Sequence, residues 1–220
     1  MDKSLYLVLS SEYRKDLLPL DIAERAINGG IKVLQMREKN LKHKDATALA
    51  REYSLLCKRH NVTFIVNDDP QLCVDAGANG LHLGQEDVKN ITLAKAREII
   101  GKDRIIGLST HSLEEFRIAN ESGVDYIAFG PLFETKTKSY SIGLGDIDKV
   151  VKEAKKPVVF IGGINVGNID DILSLGGRNI AVIREIMCAG DIKARAKMLN
   201  AKMQERFKRA VGIAKGGLGG

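Results

Sequence analysis

The stretch Arg104-Ile105-Ile106-Gly107-Leu108-Ser109-Thr110-His111-Ser112-Leu113-Glu114-Glu115-Phe116-Arg117-Ile118-Ala119-Asn120-Glu121-Ser122-Gly123-Val124-Asp125-Tyr126-Ile127-Ala128-Phe129 decides the fold. Its two ends, Arg104–Leu108 and Tyr126–Phe129, are short runs rich in β-branched and aromatic residues, as buried strands require. Between them, residues 113–122 follow a helical pattern. Ser112 and Glu115 form a capping box in front of it, and Gly123 stands where a C-terminal glycine belongs. Strand, turn, helix, strand is a βαβ unit, and its two strands must run parallel.

The same unit recurs in both directions along the chain. Further strands are predicted at Leu5–Leu9, Ile31–Met36, Thr63–Asn67, Gly80–Leu83, Val158–Ile161 and Asn179–Ile183. Helical patterns lie near residues 20–28, 45–59, 70–76, 92–100, 146–155, 167–175 and 191–210. Gly29-Gly30, Gly101 and Gly176-Gly177 close helices ahead of strands, and Pro157 stops another. Eight βα units in 220 residues close most naturally into a single (β/α)8 TIM barrel. A doubly wound open sheet is the competing architecture, but no Gly-x-Gly-x-x-Gly follows the first strand. One domain over residues 1–220 is expected, without a linker and with a frayed Gly-rich end at 215–220.

The chain is 44% hydrophobic and 28% charged, an ordinary globular balance. No signal-peptide pattern and no apolar span of membrane length occurs, so a soluble, cytoplasmic protein is expected. Cys57, Cys73 and Cys188 include no Cys-x-x-Cys pair, which argues against a disulfide framework or a zinc site. All three are read as small core residues, Cys57 beside Leu49, Tyr53 and Leu56 on one helical face. The net charge of +6 resides in residues 191–220, where eight Lys and Arg face two acids. Ile192, Ala196, Leu199, Met203 and Phe207 recur there at helical spacing, which predicts a terminal helix docked on the barrel with a solvated basic face. Aromatics are not interleaved with the cations, so neither a nucleic-acid nor a membrane partner is expected.

A barrel concentrates its chemistry where strands end, so polar residues at those positions carry the functional reading. After the second strand, alternation directs Gln35 and Arg37 to the barrel mouth, with Lys39 close behind, and Leu34 and Met36 toward the helices. Two cations and an amide suit an anionic ligand. Asn67-Asp68-Asp69 ends the third strand, and Gly84-Gln85-Glu86-Asp87 follows the fourth. Carboxylates from adjacent strands suit Mg²⁺ completed by ligand phosphates and water, or alternatively a general acid–base pair. Asp69 is also placed to cap the helix starting near Pro70. His82 points inward, as either a satisfied interior residue or a catalytic one. Ser109 lies at the end of the fifth strand, and His111 has no acid nearby to complete a nucleophilic triad. The longest connection, Gly130 to Gly145, carries Thr135-Lys136-Thr137-Lys138, whose alternating hydroxyl and ammonium groups suit a polyanion. Gly162-Gly163 after the seventh strand and Ile183-Arg184 after the eighth occupy the usual phosphate site of such barrels.

These segments in their order, from Gln35–Lys39 through Asn67-Asp68, His82–Asp87, Gly107–Ser109 and Thr135–Lys138 to Ile161–Ile164, resemble the thiamine phosphate synthase family over nearly the whole chain. The resemblance implies a transferase of thiamine biosynthesis. It joins hydroxymethylpyrimidine diphosphate to thiazole phosphate, forming thiamine phosphate and releasing diphosphate. It further implies that Gln35, Met36, Arg37, Glu38, Lys39, Asn67, Ser109 and Lys138 bind the pyrimidine diphosphate, and that Asp68 and Asp87 hold Mg²⁺. Thr135, Lys136, Thr137, Gly163, Ile183 and Arg184 would hold the thiazole phosphate. Ser109, Lys138 and Arg37 are expected to carry catalysis. The implied mechanism is dissociative, and no protein nucleophile takes part. The C–O bond to diphosphate breaks first, and the thiazole nitrogen then attacks the pyrimidine methylene cation. Two residues depart from the family pattern: Asp69, where Arg is common, and Arg184, where a small hydroxyl residue is common. A thiazole tautomerase-like isomerase and a non-catalytic phosphate-binding barrel are the alternative readings. Neither needs Arg37, Lys39, Asp68, Asp87 and Lys138 together. Oligomeric state, including a homo-oligomer, stays open at this level.

Overall fold

The computed structural model describes residues 3–135 and 140–216. Parallel strands follow one another around a closed barrel, in chain order, with the last paired to the first. They are β1 (Leu5–Leu9), β2 (Val33–Met36), β3 (Thr63–Asn67), β4 (Gly80–Leu83), β5 (Ile105–Thr110), β6 (Tyr126–Phe129), β7 (Val158–Ile161) and β8 (Asn179–Val182). The helices are α1 (Pro19–Asn28), α2 (His43–Arg59), α3 (Pro70–Asp75), α4 (Asp87–Asn90), α5 (Leu93–Ile100), α6 (Leu113–Glu121), α7 (Ile147–Glu153), α8 (Ile169–Ser174), α9 (Arg184–Met187) and α10 (Ile192–Gly216). The (β/α)8 barrel is therefore as expected, and closure excludes the open sheet.

Alternation along each strand separates two cores. Outward residues such as Leu7, Leu34, Phe64, Leu81, Phe129 and Phe160 pack against the helices in one large apolar shell. Inward residues form a smaller cluster of Tyr6, Val8, Val33, Ile65, Tyr126, Val159 and Ala181. Gly107 faces inward at the register position opposite Tyr126. A Cβ there would lie 2.0 Å from the Tyr126 ring, so the missing side chain is what lets that ring cross the barrel.

Polar side chains at the starts of alternate strands fasten the bottom of the barrel. Asn79 accepts from the Phe64 amide at 2.8 Å, and Asp125 accepts from the Ile106 amide at 2.7 Å. Asn179 accepts from the Ser4 amide at 3.1 Å and donates to the Val158 carbonyl at 3.0 Å, bridging β7 to the chain entering β1. It is 4% exposed, so no water replaces it.

Several boundaries differ from the sequence reading. β5 continues through Ser109 and Thr110, which pair with Ala128 and Phe129. The Thr110 hydroxyl donates to the Ala128 carbonyl, and that bond lets a polar residue stay in the strand. Two short helices, α4 and α9, fill what read as loops, and a 3-10 turn occupies Ser11–Tyr13. Ser112 accepts from the Glu115 amide as expected, but the Glu115 carboxylate reaches the His111 amide instead of closing a capping box on Ser112. Cys57 and Cys73 are buried, whereas Cys188 is exposed, because the short α9 turns it outward. α10 buries Ile192, Ala196, Leu199 and Met203 and leaves Lys193, Lys197 and Arg206 in solvent. Arg195 and Lys202 are paired with Glu185 and Asp170. Residues 217–220 of the expected frayed end lie outside the described residues. No helix of the described residues is long and apolar enough to cross a membrane.

Replacing Asn179 with Ala removes the side chain that accepts from the Ser4 amide and donates to the Val158 carbonyl at the β7–β8–β1 seam. The fold should lose about 1–3 kcal/mol, read as a lower urea midpoint at unchanged slope.

Candidate active site

The C-terminal ends of the strands surround a cavity of about 380 Å³, a volume suited to small molecules. Among the residues picked out from the sequence, Gln35, Arg37, Asn67, Ser109, Thr135, Gly163, Ile183 and Arg184 line it. Val8, Ala128, Val159 and Ala181 supply apolar wall from the barrel interior.

Arg37 projects from the end of β2, with Glu12 at 3.9 Å, a separation too long for a strong pair. Met36 and Glu38 do not reach the cavity. Met36 is buried in the outer core, which leaves only its backbone to offer a ligand. Glu38 accepts from both the amide and the hydroxyl of Ser11, at 2.7 and 2.8 Å, and so fastens the segment after β1 to the end of β2. Lys39 is exposed, and its charge acts on Asp68.

Asp68 adopts φ +67°, a left-handed conformation that Asp tolerates better than most residues. The turn brings its carboxyl against that of Asp87, whose Oδ2 accepts from the Gly84 amide at 2.7 Å. Burial, reinforced by the hydrogen bond and charge of Asp87, pushes the Asp68 carboxyl up to about 7, against the opposing pull of Lys39 and Arg37. Two carboxylates held together in this way fit a divalent cation. Among the described residues no group of three or more His, Cys, Asp or Glu side chains is placed to hold a metal, so at this site those residue types offer two carboxylates. Neighbouring Asp69 accepts from the Leu72 amide at 2.9 Å and caps α3. His43 lies 3.5 Å from the same carboxylate.

Deeper in the barrel, five side chains form a continuous polar chain. Gln35 Nε2 donates to the Tyr6 hydroxyl at 2.8 Å, and Tyr6 meets the Tyr126 hydroxyl at 3.0 Å. Tyr126 meets His82 Nδ1 at 2.8 Å, and His82 Nε2 meets Ser109 Oγ at 2.9 Å. Burial pushes His82 down to about 4, so the ring is neutral at physiological pH. His82 is thus a satisfied interior histidine that also touches a cavity-lining hydroxyl. Tyr6 and Tyr126 escaped the sequence reading, because an aromatic residue on a buried strand reads as core. The available signal was Gly107, a glycine inside a strand.

On the opposite side, loops six and seven are joined by the amides of Leu132 and Phe133 bonding to the carbonyls of Ile161 and Gly162. Gly163 has φ +66°, and a Cβ there would lie 2.6 Å from the Glu134 carbonyl, so the close approach of these loops requires glycine. Glu185 accepts from the Val166 amide and pairs with Arg195, tying loop seven to α9 and α10. The Arg184 guanidinium lies over the Tyr13 ring at 5.5 Å, on the rim of the cavity. Lys136, Thr137 and Lys138 lie outside the described residues.

The carboxylate pair has a pH signature. Asp68 holds its proton more tightly in the folded chain than in the unfolded one. Its contribution is therefore fully present below the usual carboxylate range and is lost as pH rises through about 7. In metal-free buffer, Asp68→Asn should gain melting temperature relative to the parent chain across that window. A difference independent of pH would show that the two carboxylates are not forced together.

Comparison with known proteins identifies the family. Residues 5–186 match the family model for thiamine monophosphate synthase. The thiamine-phosphate synthase of Halalkalibacterium halodurans is 36% identical over 208 residues, covering 93% of this chain and 97% of that protein. That of Persephonella marina is 37% identical over 206 residues, with the same coverage of 93% and 97%. The solved thiamine phosphate pyrophosphorylase of Pyrococcus furiosus superposes with a TM-score of 0.84 at 32% identity, covering 92% of this chain and 96% of that one. A match of this extent, with the strand-end residues gathered around one cavity, places the chain in the thiamine monophosphate synthase family.

Proposed function

We propose that the chain is a thiamine-phosphate synthase, a transferase that moves the pyrimidine methylene group from diphosphate to the nitrogen of thiazole phosphate. The observation that carries this reading is the division of the cavity rim. One side carries Arg37 and Asn67 on the cavity wall, with the Asp68–Asp87 pair just outside it in the loops after β3 and β4, and the other carries Thr135, Gly163, Ile183 and Arg184. Two anionic groups can thus be held apart with reactive carbons between them. The tautomerase-like and non-catalytic alternatives do not need the whole of the first side.

Asp68 and Asp87 would hold Mg²⁺. When bound, that ion would neutralise charge on the departing diphosphate. Arg37 faces the same place and stabilises the leaving group as its negative charge grows. Gln35 and Ser109 stand where they can orient the pyrimidine ring, which must align its exocyclic methylene bond with the approaching thiazole nitrogen. Val8, Ala128 and Val159 line the same cavity and offer no nucleophile to a cationic intermediate. Gly163 leaves backbone close to the second phosphate, and Arg184 adds a charge above it. Charged, phosphorylated substrates of this kind suit a cytoplasmic enzyme.

Incubating the chain with both phosphorylated substrates and Mg²⁺ should yield thiamine phosphate and diphosphate in equal amounts. Absence of turnover in folded protein would remove the function. Asp68→Asn and Asp87→Asn should each lower kcat on the order of a hundredfold or more. Full activity in chelator would take the metal from these residues. Arg184→Ala should raise the KM for thiazole phosphate by roughly tenfold to a hundredfold, as expected for loss of one charge-assisted hydrogen bond. An unchanged KM would mean that this arginine serves only to stack on Tyr13.

A further inference from the structure

We propose that Tyr6, Tyr126 and His82 form a one-way hydrogen-bond relay that makes Ser109 a donor and the Gln35 amide oxygen an acceptor toward the ring of the ligand. These buried positioning residues would thereby select an aminopyrimidine over an oxopyrimidine. The inference rests on the reading of this cavity as the pyrimidine site.

The direction follows from counting hydrogens. Each phenol has one hydrogen to give. Gln35 Nε2 donates to Tyr6 and also reaches Tyr126, and the Tyr6 hydroxyl meets that of Tyr126 at 3.0 Å, so we infer that the Tyr6 hydrogen goes to Tyr126 oxygen. Tyr126 then spends its own hydrogen on His82 Nδ1. A neutral imidazole that accepts at Nδ1 carries its proton on Nε2, and that proton points at Ser109 Oγ. Ser109 is an acceptor within the wall, and its hydroxyl hydrogen is left for the cavity it lines. At the other end, with Nε2 engaged on Tyr6, Gln35 turns its amide oxygen to the cavity. The reverse order requires the Gln35 amide to be turned over and places the histidine proton on Nδ1.

The members are held firmly enough for direction to matter. Tyr6, His82 and Tyr126 are 2%, 6% and 1% exposed, so each meets the cavity with little of its surface and its hydrogen bonds lie mostly within the wall. His82 stacks on Tyr126 with ring centroids 5.5 Å apart. The Ser109 carbonyl accepts from Gln85 Nε2 at 2.6 Å, which fixes the strand end that carries the hydroxyl. The His82 ring stays neutral well into the acid range, so it always keeps one accepting nitrogen. A wall offering one donor and one acceptor matches the ring nitrogen and exocyclic amine of a 4-aminopyrimidine. The 4-oxo analogue reverses that pattern, with a ring N–H beside a carbonyl.

The first test is the tautomer of His82, read by nitrogen NMR on ¹⁵N-histidine-labelled, substrate-free protein. A proton on Nε2 is expected, and a proton on Nδ1 overturns the relay. This measurement needs no variant and no turnover. The second compares binding of the pyrimidine diphosphate with that of its 4-oxo analogue. The parent chain should prefer the amino form by about tenfold or more, and Tyr126→Phe should narrow the preference to about twofold. The KM for thiazole phosphate should not change in that variant. An undiminished preference in folded Tyr126→Phe would overturn the role in selection. Failure of the parent chain to form thiamine phosphate while His82 carries its proton on Nε2 would count against the functional reading alone.

Discussion

Pairing of β8 with β1 is the constraint on which the rest of the molecule depends. It turns eight two-faced strands into a vessel with one inside and one outside. Once the barrel is closed, every second side chain must either fill its interior or face its mouth. The lower interior takes Tyr6, Val33, Ile65 and Tyr126. Two residues beyond Val33, Gly107 and Tyr126 on the same strands, Gln35, Ser109 and Ala128 meet the cavity, whose floor includes Tyr6 and Tyr126. Asn179 guards the seam with hydrogen bonds to both neighbours. If β8 slipped by one residue, its inward and outward sets would exchange.

Within that vessel, polar groups are arranged by how well they are satisfied. At the bottom of the cavity the Gln35–Tyr6–Tyr126–His82–Ser109 chain leaves these buried polar atoms with partners. At the rim, Asp68 and Asp87 are left in mutual repulsion, and Arg37 and Lys39 offset only part of it. A satisfied network holds its members in place, whereas an unsatisfied pair draws in a cation. Under the proposed function the rigid floor would orient the substrate ring, and the frustrated rim would take up the charge of its leaving group.

Much of this was legible in the sequence, for reasons that are local. Alternation in Val33-Leu34-Gln35-Met36-Arg37 placed Gln35 and Arg37 at the mouth and Met36 in the outer core, as observed. Punctuation by Ser112, Gly101 and the prolines placed the helices to within a few residues. What escaped depends on contacts distant in the chain. Tyr6 and Tyr126 are 120 residues apart and meet only across a closed barrel. Glu38 shares its motif with the residues expected to bind the ligand, but its carboxylate accepts from Ser11, a contact 27 residues away in the chain. Cys188 follows buried Ile186 and Met187 and read as core, although the single turn of α9 carries it to the surface.

The central claim is that one rim holds the departing diphosphate and the opposite rim holds the thiazole phosphate. A crystal structure of the chain with Mg²⁺, thiamine phosphate and diphosphate tests it most directly. Diphosphate is expected on Arg37 and a cation held by Asp68 and Asp87, with the thiamine phosphate group against Gly163 and Arg184. Diphosphate seated at Gly163 and Arg184, or a cation bound away from Asp68 and Asp87, would contradict the account.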